Sequence, residues 1–206
     1  MAEIWSNTDF PYMCLKDEIR TLAFRKAIHE VVKKGDLVID VGSGSGILSF
    51  FAAEAGAKKV YAVEIEPLLA ESLRKSIVAN EFENVIEVIQ GDISRINLPK
   101  NIDVLMAEII ETGLLDELQV PAINKLRRKG IITQKTSLIP FHYKTFIQLV
   151  YTDNTYYGYK IYSPKHEWPF YAKADSGWVN TEIEPVSENI EILSADFSLG
   201  IIEENV

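Results

Sequence analysis

Short apolar runs alternate along the first two thirds of the chain with longer segments whose apolar residues recur at helical spacing. The short runs predict strands at 37–41, 60–63, 84–89, 103–107 and 130–134. The longer segments predict helices at 17–34, 47–55, 67–80 and 118–128. Nearly all-apolar strands that alternate with helices are typical of a parallel sheet covered on both faces. We therefore predict an α/β fold with a Rossmann-like, doubly wound, mostly parallel sheet.

The pattern changes from residue 140 onward. Tyr and Thr become frequent, and short alternating runs at 143–150 and 157–162 predict antiparallel strands. We therefore expect three parts: an N-terminal arm with a helix (1–35), a Rossmann-like domain (36–139) and a small β-rich appendage (140–206).

Composition and charge narrow the classes of function. The chain has 206 residues, of which 47% are hydrophobic and 25% charged, so intrinsic disorder is excluded. A net charge of −9 argues against tight binding to nucleic acid. No apolar run approaches the roughly 20 residues of a membrane span. The absence of a signal-peptide pattern and the single cysteine indicate a cytoplasmic protein. The histidines lack metal-ligand spacing, so we expect no metal site.

A glycine-rich loop follows the first predicted strand. Residues 40–46 read Asp-Val-Gly-Ser-Gly-Ser-Gly. Such a loop lets a ligand approach the backbone, and the helix N-terminus behind it offers unpaired N–H groups. The spacing is neither the dinucleotide G-x-G-x-x-G, since Ile47 stands at the third position, nor a phosphate-binding P-loop.

Acidic residues lie at or near the ends of three predicted strands. Asp40 lies in the first strand, Glu64 ends the second, and Asp92 follows the third. The carboxyl ends of parallel strands share one edge of a sheet. A carboxylate at Glu64 can accept both hydroxyls of a ribose, and Asp92 can accept from an adenine amine. The set predicts a nucleoside pocket without groups for a pyrophosphate.

This arrangement resembles the class I methyltransferases that use S-adenosyl-L-methionine (SAM) and release S-adenosyl-L-homocysteine. The resemblance spans about residues 36–135 and rests on 38–48 and 60–64. It implies that 36–139 bind SAM, that 1–35 lie over it, and that 140–206 form a short substrate region. The implied SAM-binding residues are Asp40, Gly42, Ser43, Gly44, Gly46, Glu64, Ile65, Asp92 and Ile93.

Two further segments resemble the protein arginine methyltransferases. Residues 14–21 are similar to the Met-Leu-x-Asp-x-x-Arg helix of that family, with Cys14 in place of Met. The resemblance implies that Arg20 binds the methionyl carboxylate of SAM. Residues 107–117 are similar to the loop that carries two glutamates nine residues apart, Glu108 and Glu117. Two carboxylates can bind and orient a guanidinium through charge-assisted hydrogen bonds.

Residues around this loop leave alternatives open. Asp116 is an alternative to Glu117 as the second carboxylate. The segment 165–168 is similar, only in composition, to a loop of the arginine methyltransferases whose histidine, here His166, would pair with Asp17. The region 140–206 is too short for both the barrel and the dimerisation arm of that family, so we expect a truncated sheet and an open groove.

The resulting hypothesis is SAM-dependent methylation of a guanidinium on a cationic protein or peptide. An RNA or small-molecule acceptor, and a SAM-binding module without catalysis, remain the alternatives, and the oligomeric state stays open.

Overall fold

The computed structural model describes residues 9–110, 118–152, 155–161 and 183–202, and these divide into two compact units. The first contains the residues up to Tyr143 and those from Ala195 onward, and the second spans Lys144–Ser194. The helices of the first unit are α1 (Asp9–Lys16), α2 (Glu18–Val31), α3 (Ile47–Glu54), α4 (Pro67–Ala79) and α5 (Gln119–Arg128). Its sheet comprises β1 (Leu37–Val41), β2 (Lys59–Glu64), β3 (Ile86–Gln90), β4 (Val104–Ala107) and β5 (Ser137–Ile139).

The central sheet is parallel throughout, with the strand order β3-β2-β1-β4-β5. This order confirms the predicted Rossmann-like α/β fold. The order reverses between β1 and β4, where such folds place their ligands at the carboxyl ends of the strands. Val41 pairs with Val63 of β2 and with Ala107 of β4, so the loops after these three strands begin at the same edge.

Apolar side chains pack on both faces of this sheet. Successive strand residues point to opposite faces. Val38 of β1 accordingly packs with Ile28 and Leu48 of α2 and α3, and the next residue, Ile39, packs with residues of α5 such as Ile123. Helices therefore pack on both faces of the sheet, α2, α3 and α4 on one and α5 on the other, and position the loops at its carboxyl edge.

The last strand of the sheet was predicted in the wrong place. Residues 130–134 do not form a strand; β5 is Ser137–Ile139. Ile131 and Ile132 are buried beside α5 in irregular backbone, which explains the apolar run. A turn then reverses the chain, with the Thr136 N–H donating to the Thr133 carbonyl (3.1 Å), before the strand begins. Burial alone cannot distinguish a strand from a packed turn.

The N-terminal helix differs from its prediction at both ends. α2 ends at Val31, three residues earlier than expected, and a separate helix, α1, precedes it. Asp17 separates the two helices because its side chain caps α2, accepting the Arg20 N–H at 3.0 Å.

The second unit is built from short strands. Two antiparallel pairs form, β7 (Val150–Thr152) with β10 (Ile183–Pro185), and β8 (Thr155–Tyr156) with β9 (Tyr159–Lys160). β6 (His142–Ile147) pairs with β11 (Ile190–Asp196) where the chain passes between the units. The small antiparallel sheets predicted for the C-terminal part are thus confirmed. No helix in the described part of the chain is long and apolar enough to cross a membrane.

Candidate active site

The glycine loop is a tight turn held by the neighbouring strand. The N–H groups of Gly42 and Ser43 both donate to the carbonyl of Val63, at 2.9 and 3.0 Å. The Gly46 N–H donates to the Ser43 carbonyl at 2.7 Å, and α3 begins at the next residue. β1 and β2 therefore fix the position of the loop.

Two of its glycines are required by space as well as by conformation. Gly42 and Gly46 have φ angles of +71° and +82°, which disfavour side chains. A Cβ on Gly42 would lie 2.5 Å from Cγ2 of Ile109, and a Cβ on Gly46 would clash with Leu73. The Gly42 contact joins the glycine loop to the segment that follows β4.

Ser43 presents an unused polar group. It is buried, and its Oγ has no hydrogen-bond partner among the described residues. The helix behind it also begins without a side-chain cap at Gly46. Buried hydroxyls are normally hydrogen-bonded, so this loop offers polar groups that a ligand can satisfy.

Glu64 is buried at the end of β2, and its carboxylate is oriented by backbone donors on two sides. Oε2 accepts the Gly44 N–H at 2.7 Å and Oε1 accepts the Glu66 N–H at 2.9 Å. Each oxygen retains a further lone pair for a hydroxyl group. Ile65, the next residue, is exposed.

The third acidic residue lies in the adjacent loop. The Gly91 N–H donates to the Glu64 carbonyl at 2.9 Å, which places the loop after β3 beside that of β2. Asp92 accepts the Ser94 N–H at 2.8 Å. Partial burial raises the pKa of Asp92, but the Ser94 hydrogen bonds and nearby cations outweigh this effect, so the pKa lies below its ordinary value. Ile93 packs against the core beneath the loop.

Asp40 is buried within β1 and has one strong partner. The Ser49 hydroxyl donates to its Oδ2 at 2.6 Å, which ties the first turns of α3 to the strand. Burial, with a smaller contribution from the charges of Glu64 and Glu108, raises the pKa of Asp40 to about 7 against the opposing effect of this hydrogen bond. The three carboxyl groups therefore share one electrostatic environment.

Arg20 supplies the positive charge of this environment. Its guanidinium forms an ion pair with the Glu108 carboxylate and lies 5.2 Å from the ring centroid of Phe24, one turn later in α2. Glu108 follows the last residue of β4. Burial raises its pKa, while Arg20 opposes the rise. The sequence assigns these two side chains to different ligands, and the structure brings them into direct contact.

Several predicted residues lie outside the described residues. These are Glu117, Asp116 and His166. The described partner of Asp17 is the N-terminus of α2, which its carboxylate caps.

Two contacts at the site were not predicted. Pro11 of α1 lies over the glycine loop, since a Cβ on Gly44 would be 3.3 Å from the Cβ of Pro11. The signal for this helix is Pro11 two residues after Asp9, because proline is favoured in a first helical turn. The second is Gln119, whose buried amide bonds the backbone on both sides of Glu108. No sequence signal distinguishes this glutamine from an exposed one.

Comparisons with known proteins agree with this geometry. Residues 21–150 match the model of the family described as ribosomal protein L11 methyltransferase (PrmA). An uncharacterized protein of Methanocaldococcus jannaschii is 39% identical over 184 residues, which cover 88% of this chain and 70% of that protein. A probable protein arginine N-methyltransferase 6.1 of Oryza sativa is 34% identical over 146 residues, covering 70% of this chain and 38% of that protein.

Solved structures show the same fold. The Trypanosoma brucei PRMT1 enzyme–prozyme complex with AdoHcy has a TM-score of 0.70 at 23% identity, covering 96% of this chain and 64% of that chain. Arabidopsis thaliana protein arginine methyltransferase 10 has a TM-score of 0.56 at 34% identity, covering 64% and 38%. The chain thus spans only part of these arginine methyltransferases.

Proposed function

The chain belongs to the ribosomal protein L11 methyltransferase (PrmA) family and is a SAM-dependent methyltransferase, and we propose that it methylates an arginine guanidinium of a protein. The observation that carries the proposal is Glu108. Its carboxylate lies at the carboxyl end of β4, is half-buried, and already pairs with a guanidinium, that of Arg20. Ile109 beside it contacts the glycine loop, so an acceptor held by Glu108 would stand next to the cofactor.

The residues of the three loops fit SAM. The unpartnered Ser43 hydroxyl and the loop 42–46 offer polar groups for it. Glu64 would accept the ribose hydroxyls, Asp92 with Ile93 would hold the adenine beside Ile65, and Asp40 would support the loop. When bound, SAM supplies an electrophilic methyl group on a sulfonium.

Arg20 has two possible partners in this proposal. In the structure its guanidinium neutralises Glu108, which would otherwise be a poorly solvated, unpaired charge. The guanidinium has five N–H donors and can serve two carboxylates. It would therefore bind the methionyl carboxylate while remaining beside Glu108.

Glu108 would orient the acceptor and receive its proton. Charge-assisted hydrogen bonds would align one guanidinium nitrogen with the methyl group, an effect worth several kcal/mol in well-oriented reactions. A free guanidinium stays protonated, so transfer requires the loss of a proton. A carboxylate whose pKa is raised by burial accepts a proton more readily than an exposed one. Glu117, or alternatively Asp116, would supply a second carboxylate.

The acceptor in this proposal is a cationic protein segment. The net charge of −9 favours encounter with such a segment and disfavours polyanions. The rice relative and the Arabidopsis structure carry the name of arginine methyltransferases, which supports this acceptor.

The test is transfer of radiolabelled methyl from SAM into lysate, with products separated by protease, nuclease and acid hydrolysis. The proposal requires protease-sensitive label recovered as methylarginine, lost in Glu108→Gln and kept in the exposed control Glu83→Gln. SAM binding should be retained by all three proteins. Label recovered on lysine or on an amino terminus would instead indicate that the acceptor is an amine of a protein. Nuclease-sensitive label would favour RNA, and SAM binding without any labelled product would favour a small-molecule acceptor or a non-catalytic module.

A further inference from the structure

We propose that Gln119 is a positioning residue for methyl transfer: its side-chain amide fixes the backbone on both sides of Glu108 and thereby sets the position of that carboxylate. The inference rests on the proposed function, because it takes Glu108 as the group that orients the acceptor.

The geometry is specific to the two peptide groups that flank Glu108. Nε2 of Gln119 donates to the carbonyl of Ala107 at 2.6 Å, and Oε1 accepts the N–H of Ile109 at 3.3 Å. Gln119 is only 1% exposed, so water does not compete for these bonds. One side chain thus forms hydrogen bonds with the carbonyl of the residue before Glu108 and with the N–H of the residue after it.

The end of the sheet explains why a side chain is needed here. The ladder between β4 and β5 ends at the pair Met106 and Ile139. The next residue after Ile139 is Pro140, which has no N–H to donate. A primary amide carries one acceptor and a donor, as a strand residue does. Gln119 therefore replaces the missing strand beside Ala107 and Ile109.

This arrangement restrains Glu108 from two directions. On one side Ala107 pairs with Val41 of β1, and on the other Gln119 holds the adjacent peptide groups from the first turn of α5. Ile109, held in the same way, contacts the glycine loop through Gly42. Loss of the amide would leave buried backbone groups unsatisfied and free Glu108 to shift relative to that loop. Small displacements of a positioning group cost rate rather than binding.

The chain contains a matched control on the same helix. Asn124 of α5 is also fully buried, and its amide also bonds a backbone donor and acceptor, those of Ile202, at 2.9 and 2.7 Å. Gln119→Leu and Asn124→Leu each remove such an amide. We expect both variants to be less stable but only Gln119→Leu to lose kcat, by at least about tenfold, with SAM affinity within about threefold of the parent. Equal kcat losses, or a parent-like kcat for Gln119→Leu, would overturn the proposal.

A second variant keeps the test informative if Gln119→Leu does not fold. In Gln119→Glu a protonated carboxyl can still donate to Ala107 and accept from Ile109, whereas the ionised carboxylate has no donor. The kcat of the variant divided by that of the parent should fall as pH rises through the pKa of the new carboxyl. A ratio that is independent of pH would contradict the positioning role.

Failure of this inference can be distinguished from failure of the proposed function. If Glu108→Gln is inactive and Gln119→Leu retains the parent kcat, only the role of Gln119 is wrong. If Glu108→Gln transfers methyl normally, the proposed function is wrong, whatever Gln119→Leu does.

Discussion

Replacing Asp40 with Asn should remove a large part of the pH dependence of folding stability. Burial raises the pKa of this carboxyl from 3.8 to about 7, despite the Ser49 hydrogen bond. The folded chain therefore holds this proton more tightly than the unfolded chain does. The stability it contributes is complete below the unfolded pKa and is lost as pH rises towards the folded pKa. Asn is uncharged at every pH and keeps an oxygen for the Ser49 hydroxyl.

The magnitude follows from the two pKa values of Asp40. A rise from 3.8 to about 7 corresponds to about 4 kcal/mol, at about 1.4 kcal/mol for each pH unit. The unfolded carboxyl is already ionised at about pH 5, so about 1.6 kcal/mol is lost below that value. The remaining loss of about 2.5 kcal/mol falls between about pH 5 and about pH 8.

The assay is urea unfolding of the parent and of Asp40→Asn across this pH range. The free energy of unfolding of the variant, relative to the parent, should rise by about 2.5 kcal/mol between about pH 5 and about pH 8. Ser49→Ala, which removes the hydrogen bond that lowers the pKa, should move the transition to higher pH. A constant difference between parent and variant would refute the reasoning, since it would mean that Asp40 is ionised in the folded chain throughout.

Three further predictions concern the candidate site. Glu64→Ala should weaken SAM binding by about tenfold or more, measured by calorimetry, because it removes a buried acceptor and strands two backbone donors; unchanged affinity would remove Glu64 from the site. Gly42→Ala should lose SAM binding and lower the Tm more than Gly130→Ala, since both have positive φ but only Gly42 would clash with Ile109. As the pH is lowered, kcat/KM should begin to fall at a pH above 4.5, the ordinary pKa of a glutamate, because burial raises the pKa of Glu108. A fall that begins only at or below 4.5 would contradict this prediction.

The sequence predicts most of the sheet because its strands carry a strong local signal. The runs at 37–41 and 60–63 are apolar on both faces, and each is followed by a loop and a helix. The fifth strand lacked this signal, since β5 has only three residues and a nearby buried turn carries a similar pair of apolar residues, Ile131 and Ile132. α1 was not predicted; the local signal that it offers is Pro11 in its first turn.

The candidate site, too, could be predicted from the sequence only in part. The loop 42–46, which directly follows a strand, could be predicted because its glycine spacing indicates a backbone conformation that favours glycine. The ion pair between Arg20 and Glu108 could not, because its partners are 88 residues apart and only the packing of α2 against the sheet brings them together. The role of Gln119 depends on where β5 ends, which local patterns did not give correctly.

The contact between Arg20 and Glu108 has a consequence for binding order under the proposed function. Each side chain neutralises the other in the structure, so a ligand for either one changes the environment of its partner. A carboxylate bound to Arg20 would weaken its hold on Glu108 and leave that carboxylate better able to bind a cationic acceptor. The coupling must then be reciprocal: a cationic peptide should tighten SAM binding in the parent, measured by equilibrium dialysis, and should do so less in Arg20→Lys. Equal SAM affinity with and without peptide in the parent would show that the two sites are independent.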